Sequence, residues 1–249
     1  MSAVRAALHV HSTWSYDGSW ELATIARRFA LLGYDAVLLA EHDKGYDEAR
    51  WRALQEACAA ASTPKLVLVP GIEYSDADNT VHVPVWGVGT PFLGEGRPTL
   101  ETLQRAREAG AVSMLAHPAR KRAHERVTGE WLELLCAVET WNGKYDGWTP
   151  SAIAGGLRER APHLQGLFGL DFHLARQLLP LAMVGEVDGP VTAAAVVEAL
   201  GAGALRPDAL GLGPDWALSR HGRAVTGAVD RSRRRTGKAV RRVRAKVRR

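Results

Sequence analysis

Short apolar runs alternate with amphipathic ones along most of the chain, and each ends in turn chemistry. Ala6-Ala7-Leu8 opens as a strand and runs into His9-Val10-His11, followed by the turn-forming Ser12-Thr13-Trp14-Ser15-Tyr16-Asp17-Gly18. Residues 20–32 carry apolar positions at helical spacing and stop at Gly33, a residue suited to a helix C-cap. Residues 34–40 read as a buried strand ending Glu41-His42-Asp43, 47–61 as a second helix, and 66–69 as a third strand leading to Gly71-Ile72-Glu73. Residues 80–88 alternate as an extended segment with His82 near its start. Residues 99–109 form a helix with Thr99 as its N-cap, and 112–116 a strand ending His117-Pro118. A basic, irregular stretch follows at 119–128, then a short helix at 130–135 and a strand at 137–141 that carries Glu139. A helix at 151–160, a strand at 167–170 ending Asp171-Phe172-His173, a last strand at 181–187 and a closing helix at 192–200 complete the pattern.

Strands alternating with helices through short loops predict parallel β/α units, and about seven of them fit, enough to close or nearly close a barrel. The expected body spans residues 1–206, and the Gly/Pro-rich stretch 207–214 opens a basic, flexible tail over 207–249. With 249 residues, 46% of them hydrophobic, the chain can bury one core of that size. Two cysteines, Cys58 and Cys136, form no C-x-x-C pattern, which points to a reducing compartment. The first strand starts within a few residues of Met1, leaving no space for a signal peptide, and no apolar run approaches the ~20 residues of a membrane span. The expectation is a cytoplasmic protein.

Charge divides the chain. Residues 220–249 hold 13 Lys/Arg against one acid, Asp230, a local charge of +12; the whole chain carries +5, so residues 1–219 carry −7. The basic character belongs to the tail. Val240, Val243 and Val247 would share one helical face, but the stripe is narrow, and electrostatics should dominate. Such a segment could bind nucleic acid by counterion release or an anionic membrane surface.

In a strand, residues two apart project from the same face, so His9 and His11 stand side by side, and the following turn carries Asp17 back towards them. Two imidazoles and a carboxylate at a strand end suit a divalent metal such as zinc or manganese. In β/α barrels the active site lies at the carboxyl ends of the strands. His9, His11, His42, Glu73, His117, Asp171 and His173 all fall at predicted carboxyl ends, where core or surface histidines have no reason to collect.

These motifs, in this order, resemble the polymerase and histidinol phosphatase (PHP) superfamily of metal-dependent phosphoesterases. The resemblance runs over roughly residues 6–205 and includes His9-x-His11 with Asp17-Gly18, Glu41-His42-Asp43, Gly71-Ile72-Glu73, His82, Ala116-His117-Pro118 with Arg120, and Gly169-Leu170-Asp171-Phe172-His173. It implies a distorted (β/α)7 TIM-like barrel holding two or three divalent ions, zinc, manganese or iron. By it, His9, His11, Glu73 and Asp171 would hold one metal, and Asp17, His42 and His173 a second. Glu73 would act as a bridge, joining His82 and His117 around a third. The catalytic water would be held by Asp17, His42 and His173. Tyr16 stands between Ser15 and Asp17 where many members have no residue, and Glu41 stands where an aspartate is usual.

Two side chains could meet substrate. Arg120 could clamp a phosphate oxygen, and Asn142 could face the substrate or simply turn the chain with Gly143. Glu139 could orient a metal ligand from behind or pair with a nearby base. Three divalent ions set against Asp17, Glu73, Asp171 and one hydroxide leave a positive site, which favours a dianionic phosphate. Two ions leave a near-neutral one, open to an uncharged ester. The expected function is therefore hydrolysis of a phosphate ester on a phosphorylated small molecule or nucleotide. The segment Val138-Glu139-Thr140-Trp141-Asn142-Gly143 looks like a subgroup that includes hydrolases of non-phosphate esters, so a carbamate or carboxylic ester hydrolase is the alternative. A regulatory module that binds metal without turnover is a third reading, against which the intact ligand set argues.

Overall fold

The computed structural model describes the backbone of residues 1–247 and the side chains of residues 1–236. In chain order the elements are β1 (Ser2–Val10), α1 (Leu22–Leu31), β2 (Ala36–Leu39), β3 (Glu41–His42), α2 (Glu48–Ala61), β4 (Val67–Val69), β5 (Ile72–Ser75), β6 (His82–Trp86), α3 (Thr99–Glu108) and β7 (Val112–Leu115). They continue with α4 (Gly129–Leu134), β8 (Ala137–Asn142), α5 (Ala152–Arg160), β9 (Gln165–Gly169), β10 (Leu181–Val187), α6 (Ala193–Gly201), β11 (Arg206–Ala209) and α7 (Arg220–Val247).

Helix ends follow side-chain chemistry. Asp47, Thr128, Ser151 and Thr192 each accept a hydrogen bond from a first-turn amide of α2, α4, α5 and α6. Past the end of α1, Gly33 takes a φ of +79°. Leu22, Ile25, Ala26 and Phe29 line the buried face of α1. Burying large side chains such as Ile25 and Phe29 contributes about 1.5–3 kcal/mol each. Phe29 meets Phe172 edge-on with ring centroids 5.7 Å apart, so this core lies directly beneath the segment that carries Asp171 and His173.

The strands form a mixed α/β fold of two sheets, in the orders β11-β10-β1-β2-β4 and β3-β5-β6-β7-β8-β9. The expected α/β fold with parallel pairs is present, while a single closed ladder for the distorted (β/α)7 barrel is not seen among the described residues. The reason lies in the connections. β5 and β6 pair antiparallel, as do β6 and β7. β10 runs antiparallel to both β1 and β11. Backbone hydrogen bonds nevertheless join the sheets: Leu170 N donates to Leu8 O at 2.9 Å, and His11 N to Phe172 O at 2.9 Å. These links bring the ends of β1, β3, β5, β7 and β9 to one face.

The body also extends beyond residue 206, where the sequence reading ended it. β11 pairs with β10 from Leu181↔Ala209 to Val184↔Arg206, and Asp208 takes a 2.8 Å contact from Arg5. The basic segment, expected to be flexible, is helix α7, with Thr226 and Asp230 buried against the body. Asp230 accepts from Trp148 N at 3.3 Å, and the hydroxyls of Thr226 and Thr149 lie 3.2 Å apart. The side chains of Val240, Val243 and Val247 lie outside the described residues. No described helix is long and apolar enough to cross a membrane.

Candidate metal centre

The backbone aims the candidate ligands before any side chain is considered. His9 (φ 61°), His117 (φ 27°) and Asp171 (φ 47°) occupy the left-handed region, disfavoured for residues other than glycine. Each such residue costs on the order of 1–3 kcal/mol and persists only where its surroundings impose it. His9 sits at a register shift near the end of β1, and His117 and Asp171 lie two residues past β7 and β9, so the strain turns their side chains onto one face. His82 starts its strand instead of ending it. Because β6 runs antiparallel to β5, its first residue pairs with Ser75 and lies at the same end as the others.

Glu73 is the hub. Its Oε1 lies 3.1 Å from His9 Nε2, 3.0 Å from His82 Nδ1 and 3.3 Å from His117 Nε2. Its Oε2 lies 3.1 Å from His42 Nδ1 and 3.7 Å from His11 Nε2. Asp171 approaches His11 at 3.7 Å, His117 at 3.8 Å and His173 at 3.3 Å. Asp17 faces His42 at 3.4 Å and His173 at 3.1 Å, with its side chain 38% exposed. The other eight candidate ligands are buried. The structure thus brings all nine sequence-selected residues together around Glu73 and Asp171.

The donor chemistry fits divalent metal. Four triads, His11/His42/His173, His9/His11/Glu73, His9/His117/Asp171 and His42/Glu73/His82, each bring three ligand atoms within 4.8 Å of one another. His9 Nε2, His11 Nε2, Glu73 Oε2, His82 Nδ1, His117 Nδ1, Asp171 Oδ2 and His173 Nε2 are buried without hydrogen-bond partners. Buried polar atoms are rarely orphaned, and seven in one place suit a cation shared among them.

Other side chains orient the ligands from behind. Glu139, fully buried, accepts from His9 Nδ1 at 2.9 Å, His117 N at 2.6 Å and Asn142 Nδ2 at 2.7 Å. It therefore fixes the His9 tautomer and leaves Nε2 free. Gly169 makes room for it, since a Cβ there would strike Glu139 Oε1. Glu41 accepts from Ser12 N at 3.0 Å and from the hydroxyls of Ser12 and Ser15, pinning the loop after His11. His82 is held through Nε2 by Asn79 Oδ1, leaving Nδ1 towards Glu73.

Charge within the cluster compensates. Burial opposes ionisation of Glu73, yet His82 and His9 outweigh it and hold the carboxyl well below its usual range. Burial lowers His42, but the carboxylates of Asp17 and Glu73 beside it raise it to about 10. Burial and neighbouring His42 push His11 well below its ordinary value. A cluster with negative hubs and lone pairs available at several imidazoles is the electrostatic counterpart of a cation site.

At the rim, Arg120 Nη1 lies 3.1 Å from His82 Nε2 and donates to Asn79 O at 2.8 Å, while its Nε reaches the Tyr145 hydroxyl at 3.2 Å. Asn142 does not face the opening. It is fully buried, and its Oδ1 accepts from Lys144 N and Tyr145 N at 2.9 Å, so the turn-forming alternative is the one the structure shows. The residue that this turn delivers was missed in the sequence: Lys144, whose Nζ lies 3.2 Å from Asp171 Oδ1. Burial lowers its pKa, but Asp171 and its neighbours raise it overall, keeping it a cation. The only signal was its place after Asn142-Gly143. Tyr16 stacks on His42 at 5.0 Å, and a cavity of about 310 Å³ opens there, lined by Tyr16, His42, Lys44, Asp76 and Asn79 among others.

No protein-family model matches the sequence, and no curated protein does. Solved structures do. A two-domain protein from Bacteroides vulgatus containing a predicted PHP-like metal-dependent phosphoesterase superposes with a TM-score of 0.60 at 17% identity over 83% of this chain. The chain spans 65% of that protein's length. PsfC from Pseudomonas syringae superposes with a TM-score of 0.59 at 19% identity, covering 79% of this chain and 88% of PsfC. Given this likeness and the buried His/Glu cluster, the chain has the fold of the PHP-like proteins, with its cluster of candidate metal ligands at the strand ends.

Proposed function

We propose that the chain is a PHP-type metal-dependent phosphoesterase that hydrolyses a phosphate ester on a small molecule or nucleotide. The observation that carries this reading is the convergence of seven partnerless ligand atoms around Glu73 and Asp171, with Lys144 and Arg120 at the rim. His9, His11, Glu73 and Asp171 would hold one ion, Asp17, His42 and His173 a second, and Glu73, His82 and His117 a third. The ion would be zinc, manganese or iron, since mixed imidazole and carboxylate sites accept each. Bound there, such ions activate water and neutralise phosphoryl oxygens.

The protein's own groups supply the rest. Asp17, the one exposed carboxylate of the set, stands with His42 and His173 where solvent enters, and this trio would hold and orient the attacking water. Lys144 and Arg120 neutralise phosphate oxygens that face away from the cluster. Buried walls keep bulk water out and strengthen these interactions. The experiment is a phosphoester panel, run on purified protein with each metal in turn beside direct metal analysis. Turnover that depends on bound metal supports the reading, and metal-independent turnover contradicts it.

A further inference from the structure

Helix α7 is held to the body along one narrow line. Gly222, Thr226 and Asp230, spaced four apart, are buried, while Val225 is 46% exposed and Val229 43%. Among the described residues, the hydrogen bonds between α7 and the body end at Asp230. Residues 231–236 are all exposed, and the helical backbone continues to Val247.

The exposed face has a pattern that charge does not explain. At ~100° per residue, positions 225, 229, 236, 240, 243 and 247 of a helix fall within about 60° of arc. Five of them are valines and the other is Thr236. The eleven Lys/Arg positions of α7 all fall outside that arc, and its one acid is Asp230. The stripe expected from Val240, Val243 and Val247 alone therefore begins about four turns earlier, at Val225, on a face that the body leaves open.

Three occupants could cover such a helix, and one of them uses both features. RNA would meet the cations through its phosphates but leave the valine stripe in water. A second α7 would cover the valines but set one +12 segment against another. An anionic lipid surface takes both, since its phosphates meet the cations while the valines enter the boundary between head groups and acyl chains. Long Lys and Arg side chains flanking the stripe can lay their stems along the apolar layer and keep their charges among the head groups. No described helix is apolar enough to span a bilayer, so α7 would lie along the surface.

We propose that α7 is an interfacial helix, lying in the plane of an anionic membrane surface with Val225, Val229 and the positions in line with them inserted. The body, joined at Thr226 and Asp230, is then carried at that surface. Binding of this kind needs neither metal nor turnover.

The test uses the full-length protein in three forms: wild type, Val225→Gln/Val229→Gln/Val243→Gln, and the matching triple leucine variant. All three carry the same net charge. The probes are vesicles of phosphatidylcholine alone, vesicles with about one-third phosphatidylglycerol, and a single-stranded RNA of about 20 nucleotides. Wild type should bind the anionic vesicles at least about tenfold more tightly than the neutral ones, with affinity falling as salt rises. The glutamine variant should bind them about tenfold more weakly than wild type, with its affinity for RNA within about twofold. The leucine variant, with more apolar area and a better helix former, should bind them more tightly. Absence of wild-type binding to anionic vesicles overturns the proposal, whether or not RNA is bound. So does a glutamine variant that binds them as tightly as wild type, since charge alone would then suffice. If that variant loses RNA as well, the leucine variant decides: tighter vesicle binding supports the helix, and unchanged binding overturns it. A wild type that sediments as a dimer where the glutamine variant sediments as a monomer would give the stripe to a second copy, and so overturn it too.

Discussion

Glu139 holds His9 from behind: its Oε1 lies 2.9 Å from His9 Nδ1, and neither side chain is exposed. With Nδ1 engaged, Nε2 is the nitrogen left to face Glu73, 3.1 Å away. Carboxylates in this position typically account for 10–100-fold in metal affinity. Glu139→Gln is expected to weaken metal binding by about that factor, as measured by competition with a chelating dye, while a thermal melt confirms that the variant is folded. Unchanged affinity would mean that His9 needs no such support.

Lys144 and Arg120 flank the opening without belonging to the ligand set. A charged hydrogen bond to phosphate contributes about 1.5–3 kcal/mol, roughly ten- to a hundredfold in rate or affinity. Lys144→Ala and Arg120→Ala should each lower kcat/KM on a phosphomonoester within that range, with metal content unchanged by mass spectrometry. Full turnover in both variants would return these cations to structural roles, pairing with Asp171 and with Asn79 and Tyr145.

Asp146 gives a pH signature away from the ligands. Burial raises its carboxyl to about 7, against one hydrogen bond from Asn142 N that favours the charged form. A carboxyl raised on folding binds more protons in the native than in the unfolded state, so its contribution to stability falls as pH rises from about 4 to 7. Asp146→Asn keeps the acceptor and removes the titration. Relative to wild type, the variant should gain a few degrees in Tm at pH 8 compared with pH 5. A Tm difference that does not change with pH would contradict this.

Much of the site was legible because its chemistry is local in sequence. His9-x-His11, His42, His117 and Asp171-x-His173 sit at strand ends that hydrophobic patterning predicts, and a residue at a strand end is placed by the strand. What was hidden depends on pairing and approach. That β6 runs antiparallel, and so brings His82 to the ligand face from its starting end, follows from its register with β5 and not from its alternation. The left-handed backbone at His9, His117 and Asp171 has no compositional sign, since glycine does not mark it. Lys144 looked like an ordinary basic residue after a turn, and only the approach of that turn to β9 sets it on Asp171. The tail was read as too weakly amphipathic to order. Two polar positions, Thr226 and Asp230, are what dock α7, and a search for apolar stripes passes over them.

The basic end of the chain separates by where it is cut. Removing residues 237–249 spares the contacts of Thr226, Asp230, Arg233 and Arg234. It should leave hydrolysis of a small phosphoester within about twofold while abolishing salt-sensitive binding to RNA or anionic vesicles. Removing residues 215–249 also strips Asp215, which pairs with Arg206, and buried Ala217, and should lower Tm. Absence of any low-salt binding by the full-length protein would end the proposed role in nucleic-acid or membrane contact.

The most direct test of the metal centre is to measure metal content and phosphoester turnover together in wild type and Glu73→Gln. Glu73 lies within 3.7 Å of five histidines, so loss of its charge removes the hub without emptying the pocket. Wild type should hold two or three divalent ions per chain by mass spectrometry, lose turnover on chelation and regain it with zinc, manganese or iron. Glu73→Gln should lose bound metal and nearly all turnover, with its far-UV circular dichroism unchanged. A Glu73→Gln protein that keeps both its metal and wild-type turnover would contradict the account.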